Sequence, residues 1–376
     1  MIQRWHIGLL ATAFICALIG VRTLSVVAEP ELMPISSPTE QLGAGWNQVN
    51  PGGESICGRG EPYSFHVREG ASNNLLIYFQ GGGMCWNDQT CNASTTTFDD
   101  SINPADPSDN PMVYSAGVMH TENGENPFRD YDIAFINYCT GDMHTGNTVN
   151  QYNFEGHQFT VNHKGAVNAA AALDWLYNYF PATESVFVSG CSAGAVGAAY
   201  WATNIFAHYP SARHALLGDS GSGWRGGIGN SFALWNTQYL GIAPQNLSIE
   251  TFYQTTAATF PASQVAQVNT AYDETQAFFN HVGFTSQSYN NALTATLRAS
   301  NRYANFRSYT GWGNIHCLTP RTEMYTVQTN GVRFLDWMTS LASGQPVSNV
   351  QCRDCVNPEY YPPLAPEGYM TPTPAS

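Results

Sequence analysis

Lysine is almost missing from this sequence: among 376 residues there is one, Lys164, beside thirteen arginines, and charged residues of every kind make up 11%. With 14 basic against 28 acidic side chains the formal charge is −14. The basic face that a nucleic-acid partner requires is therefore absent, and so is the Lys-rich run of a membrane-surface patch. No interior stretch reaches the roughly 20 apolar residues of a spanning helix. There is no internal repeat. Cys352 and Cys355 form the one C-x-x-C pair, so no second pair completes a zinc ribbon. A metal alternative joining them to Cys317 and His316 is weighed and set aside, and no metal is expected. At 43% apolar residues, the chain is no disordered tail.

What is present begins with Arg4 and His6, an apolar run from Ile7 to Val21, and Val26-Val27-Ala28 ahead of Glu29. This is the layout of an export signal, with cleavage expected near Ala28, although Arg22 leaves an uncleaved anchor open. Residues 1–28 are thus read as a signal peptide, 40–358 as a single domain and 359–376 as a Pro-rich tail. Setting Cys16 aside leaves eight cysteines, an even number in an exported chain, so disulfides are expected. Cys85 and Cys91 bracket a short polar loop and form the safest local bridge. Asn92-Ala93-Ser94 and Asn246-Leu247-Ser248 are glycan acceptors if a eukaryote secretes the chain.

Leu75 to Phe79 and Asp132 to Tyr138 are continuous apolar runs that read as strands buried on both faces of a parallel sheet. Between His163 and Phe180, alanines, leucines and tyrosines recur at three- and four-residue steps until Pro181, the pattern of an amphipathic helix. Ser185 to Val188 reads as the next strand and Ala193 to Phe206 as the next helix. The order predicts an α/β fold, a mostly parallel sheet flanked by helices. Residues 88–130, rich in Asp, Asn, Ser, Thr and Pro, form a long loop insertion, and 225–265 with 283–300 are read as a helical cap or further insertions.

The turn after the Ser185 strand is Gly190-Cys191-Ser192-Ala193-Gly194, a G-x-S-x-G between a strand and a helix, which presents a serine nucleophile on a strained elbow. Gln80-Gly81-Gly82-Gly83 follows the Leu75 to Phe79 strand, as glycine-rich oxyanion loops do; Gly82, Gly83 and Ala193 are the expected donors. In such folds the acid and then the histidine follow the serine. Asp219 and Asp273 each follow a plausible strand, and spacing leaves the two open. His316 in Gly313-Asn314-Ile315-His316-Cys317 is favoured as base over His281, which falls in a predicted helix. Asp142, His144 and His157 are read as ordinary loop residues.

Taken together, Gln80-Gly81-Gly82-Gly83-Met84-Cys85-Trp86, Asn137-Tyr138-Cys139, Ser189 to Gly194, Asp219-Ser220-Gly221, Asn269 to Asp273 and His316-Cys317 resemble the pectin acetylesterase and Notum family, in the family's order, over about Gly45 to Pro358. The resemblance implies an α/β-hydrolase-like fold with Ser192 as nucleophile, Asp273 as triad acid and His316 as base, leaving Asp219 a structural or pocket-edge residue. It further implies pairing of Cys57 with Cys139 and of Cys85 with Cys91. It leaves Cys191 as a free buried thiol and puts Cys317, Cys352 and Cys355 in a disulfide region whose last cysteine this tail lacks. Ala195, Met84 and Leu318 depart from the family pattern. The expectation is a secreted or periplasmic monomeric serine esterase that needs no cofactor and removes acetyl groups from an acylated carbohydrate. It has no nucleic-acid partner and no stable span once the signal is removed. The rivals are a carboxylesterase for longer acyl chains, on lipid-modified protein or an aliphatic polyester, and a noncatalytic glycan-binding protein.

Overall fold

The backbone follows from which runs are apolar on both faces. In the computed structural model, which describes residues 35–352 except 96, 114, 224–227 and 281–285, two runs pair in parallel: β3 (Asn74–Phe79) and β4 (Asp132–Ile136). Ahead of them lie two four-residue strands, β1 (Trp46–Val49) and β2 (Phe65–Arg68), which join antiparallel at one edge. A hairpin, β5 (Thr148–Phe154) and β6 (His157–His163), leads into α1 (Gly165–Tyr179). Then come β7 (Ser185–Cys191), α2 (Ala193–His208), β8 (Arg213–Asp219), α3 (Ile228–Leu234), α4 (Ile249–Thr259) and β9 (Gln264–Thr270). After α5 (Glu274–Asn280), α6 (Ser286–Ser300) and β10 (Phe306–Gly311), the chain makes the short hairpin β11 (Gln328–Thr329) and β12 (Val332–Arg333), α7 (Phe334–Ala342) and β13 (Val350–Gln351).

The main sheet runs β1-β2-β4-β3-β7-β8-β9-β10-β13 and is parallel from β4 onward. Successive strand residues point to opposite faces, so each parallel strand feeds two cores. Ile77, Phe79, Val188 and Leu216 pack with α1, α2 and α4 through Leu173, Leu176, Ile205, Phe206 and Phe252. Leu76, Tyr78, Phe187, Leu217 and Val268 pack on the other side with Phe334, Trp337, Met338 and Leu341 of α7. The mixed α/β class and the mostly parallel sheet expected from the runs are found. No described helix is long and apolar enough to cross a membrane. The signal-peptide residues 1–28, His281, Cys355 and the tail 359–376 lie outside the described residues.

The insertion at 88–130 is not sheet; it is pinned by side chains. Gln80 donates through Nε2 to the Asp109 carboxylate at 2.6 Å and to the Ser108 carbonyl at 3.0 Å, while its Oε1 accepts from Asn137 Nδ2 and from the Tyr138 amide, both at 2.9 Å. Asn137 in turn donates to the Asp109 carbonyl at 2.6 Å and accepts from His66 Nδ1 at 2.8 Å. All four side chains are buried, where a polar group must be partnered to be tolerated. Disulfides join Cys57 to Cys139 and Cys85 to Cys91.

Candidate active site

β7 runs straight into α2 with one residue between them, Ser192, and that residue sits at φ 56°, ψ −121°. A β-carbon avoids this region, so the turn exists because its flanks are glycine. A β-carbon on Gly190 would strike the Gly194 backbone, and one on Gly194 would strike the Phe79 carbonyl. The serine amide is held by the Asp219 carbonyl at 2.8 Å. Four further non-glycine residues with positive φ lie close by, Met143, His144, Ser220 and Cys317. Such backbone costs on the order of 1–3 kcal/mol per residue and persists where surroundings enforce it.

Strand ends place the other groups. Asp273 follows β9 and precedes α5, accepting the Gln276 amide on Oδ1 at 2.9 Å in the manner of a helix cap. Its Oδ2 accepts from Gln276 Nε2 at 2.9 Å and from His316 Nδ1 at 2.8 Å. The carboxylate is fully buried, whereas the imidazole remains 19% exposed. The second histidine nitrogen is thereby left as the acceptor tautomer. The loop that carries His316 is tied to β9 by Thr270 Oγ1 donating to the Ile315 carbonyl at 2.8 Å and the Tyr272 amide donating to Gly313 at 3.0 Å.

Asp219, the rival that spacing could not dismiss, does different work. Its buried carboxylate accepts the amides of Leu318 at 2.7 Å and Thr319 at 2.6 Å together with the Thr319 hydroxyl at 2.7 Å, and Ser220 Oγ accepts the Cys317 amide at 2.9 Å. Burial pushes the Asp219 pKa up, against the pull of these donors. It holds the loop immediately after His316, whereas the imidazole is held by Asp273.

Ser192, Ala193, Gly83 and His316 line one cavity with Met84, Met143, Val196, Ser220, Gly221, Gln276 and Phe279. About 20 Å³ of it admits the centre of a water-sized group, where about 10–15 Å³ holds one water. The amides of Gly82, Gly83 and Ala193 have no hydrogen-bond partner among the described residues. Gly82, at φ 136°, does not itself line the cavity; a β-carbon on Gly81 would meet Cys191 and Ser192.

Two expectations are corrected. Cys191 is not a free thiol: it is bonded to Cys317, 126 residues away, because the end of β7 and the loop after β10 converge. Cys317 therefore does not pair within the C-terminal region, while Cys352 is disulfide-bonded. With both sulfurs consumed, Cys317 offers no thiolate to a metal. His144 is buried, faces the Gln80 carbonyl through Nε2 at 2.9 Å, and has its pKa lowered to about 4 by burial. Asp142 is buried and accepts the Gly165 amide at 2.7 Å, and His157 is exposed. None of the three lines the cavity. The residue missed in the sequence is Gln276, which donates to Asp273 and to the Tyr289 hydroxyl and accepts the Ser222 amide. Its signal was there: Asp273-x-x-Gln276 has the spacing of a capping box.

Residues 48–224 match the pectinacetylesterase family. Pectin acetylesterase 7 of Arabidopsis thaliana is 26% identical over 153 residues, 38% of this chain and 36% of that protein. Pectin acetylesterase 4 of the same plant is 29% identical over 135 residues, 35% and 31% of the two chains. The palmitoleoyl-protein carboxylesterase NOTUM of Schmidtea mediterranea is 27% identical over 146 residues, 38% and 26%. The chain thus spans about a third or less of the length of these relatives. The family match contains the glycine loop and the Ser192 elbow but ends before Asp273 and His316. The resemblance drawn from the motifs is borne out over residues 48–224, where the chain is similar to the pectinacetylesterase family.

Proposed function

We propose that the protein is an esterase that hydrolyses carboxylic esters with Ser192 as nucleophile, His316 as general base and acid, and Asp273 as the carboxylate that orients the imidazole. In the first step Ser192 Oγ attacks the ester carbonyl as His316 Nε2 takes its proton. The tetrahedral oxyanion collapses and the alcohol departs with that proton, leaving an acyl-serine. Water, deprotonated by the same histidine, then attacks the acyl-serine and releases the carboxylic acid. The Gly83 and Ala193 amides, with Gly82 beside them, are the donors for the oxyanion, and removal of one such donor typically costs about 3 kcal/mol of transition-state stabilisation. The single observation that carries this reading is the His316–Asp273 hydrogen bond at 2.8 Å beside a cavity that His316 shares with the strained Ser192.

The acyl group is short, most simply acetyl on a polysaccharide hydroxyl. That is the substrate class named by two of the relatives. We take residues 40–358 as one esterase unit, exported and acting as a monomer without a cofactor; the disulfides fit an oxidising compartment. The apolar lining of Met84, Met143, Val196 and Phe279 favours a second reading, a longer acyl chain of the kind NOTUM is named for. A rate profile over nitrophenyl esters from acetate to palmitate, with Ser192→Ala as blank, decides between them. A maximum at acetate or butyrate that vanishes in the variant is expected. A maximum at eight carbons or longer would transfer the assignment to the second reading, and undiminished turnover by the folded variant would end both.

A further inference from the structure

We propose that the Cys191–Cys317 disulfide is the positioning element that sets the approach of Ser192 to His316, an inference that rests on the reading of those two residues as nucleophile and base. Cys191 is the last residue of β7 and directly precedes Ser192; Cys317 directly follows His316. Their α-carbons are 5.6 Å apart although 126 residues separate them. The hydrogen bonds of the His316 loop lead elsewhere: Thr270 and Tyr272 tie it to the end of β9, and Asp219 and Ser220 tie it to the end of β8. The disulfide joins it to β7, the strand that carries the serine.

The bridge therefore spans the pair that must meet, one residue from each member. Cys317 sits at φ 64° and Ser192 at φ 56°, so both sides of the bridge are held in backbone that would relax if released. A displacement of about 1 Å between reacting groups can cost on the order of 100-fold in rate. The hydrogen bonds to Asp219 hold the same loop independently of the bridge, so loss of the bridge is expected to act on geometry. Both cysteines are buried, at 8% and 1% exposure, which fits a fixed brace and not a sensor of external reductant.

The test is the double variant Cys191→Ala/Cys317→Ala, which leaves no unpaired thiol, beside Cys85→Ala/Cys91→Ala as a control bridge. The assay is nitrophenyl acetate turnover across pH 5–9 with a thermal melt of each protein. The expected result is a fall in kcat of tenfold or more with KM within twofold, the same active-serine fraction by phosphonate titration, and a cooperative melt. Wild-type kcat in the double variant, or a kcat loss matched by an equal loss of titratable serine, would overturn the proposal. If the variant fails to fold, graded reduction and alkylation of the native protein, with mass mapping of which bridge opened, replaces it. Residual activity must then follow the closed fraction of Cys191–Cys317. Failure of the underlying reading is distinguishable, since it appears in the wild-type chain as turnover that survives Ser192→Ala.

Discussion

Asp219 and Asp273 are both aspartates at or just past the end of a parallel strand and both fully buried, yet their partners give them opposite tasks. Asp273 faces the imidazole, Asp219 faces three donors of the loop behind it. Asp273→Asn preserves the volume but no longer stabilises the imidazolium, and is expected to lower kcat by about 10³–10⁴-fold with little change in the melting midpoint. Asp219→Ala leaves buried amides unpartnered, at about 1–3 kcal/mol for each such group, and is expected to lower the midpoint and the activity together. Parallel melts and turnover measurements of the two variants check this; a reversed pattern would exchange their roles. Spacing alone could not draw the distinction, because both residues follow apolar strands and their partners lie 43 residues beyond Asp273 and 99 and 100 beyond Asp219; the resemblance of the motifs drew it. The elbow serine was legible, since its conformation demands neighbouring glycines that the sequence displays.

At the scale of elements, the glycine loop is held from outside itself. Gln80, the residue before Gly81, is gripped by Asp109 of the insertion and by Asn137 at the end of β4. Burial raises the Asp109 pKa to about 6, so this clamp changes charge state in mildly acidic solution. Asp109→Ala is expected to cost about 1–3 kcal/mol and to reduce kcat because the loop loses its anchor; melting and nitrophenyl acetate turnover check both. An unchanged kcat would mean that the loop holds itself. The central strands were readable as continuous apolar runs because residues on both faces are buried. The edge strands β1 and β2, of four residues each, and the two-residue β13 carry too little pattern to stand out. The hairpin β5–β6 alternates polar residues with few apolar ones, and the 3.6-residue period that disclosed α1 has no counterpart there. The Cys191–Cys317 bridge was hidden for another reason: eight cysteines allow 105 pairings, and only the convergence of two strand ends selects this one.

Over the whole molecule, two sets of buried groups oppose each other in acid. His66, His144 and His163 have pKa values lowered by burial to about 4, from 6.5. The unfolded chain therefore takes up their protons first, and their contribution to stability is lost as pH falls from about 6.5 toward 4. Asp109, Asp132 and Asp142 are raised by burial to about 6, from 3.8. Their contribution is present below about 4 and is lost as pH rises through 6. The two sets oppose each other between pH 4 and 6, but burial also raises Asp99 to about 8 and pushes Asp219 and Glu250 up, so the histidines are expected to offset only part of the change in melting midpoint that the acids impose across that range. Replacing His163 by Gln should raise the midpoint at pH 4.5 relative to that at pH 7, compared with the wild-type chain. A steeper acid dependence in that variant would contradict the assignment.

The grip of Asp219 on the amides of Leu318 and Thr319 has one more consequence. These residues belong to no helix or strand, and coil amides normally trade their hydrogens with solvent quickly. Both are buried and both donate to a fully buried carboxylate, so they can exchange only when the end of β8 lets go. In deuterated water they should stay protonated as long as the central strands do, an island of slow exchange one residue beyond Cys317 and two beyond His316.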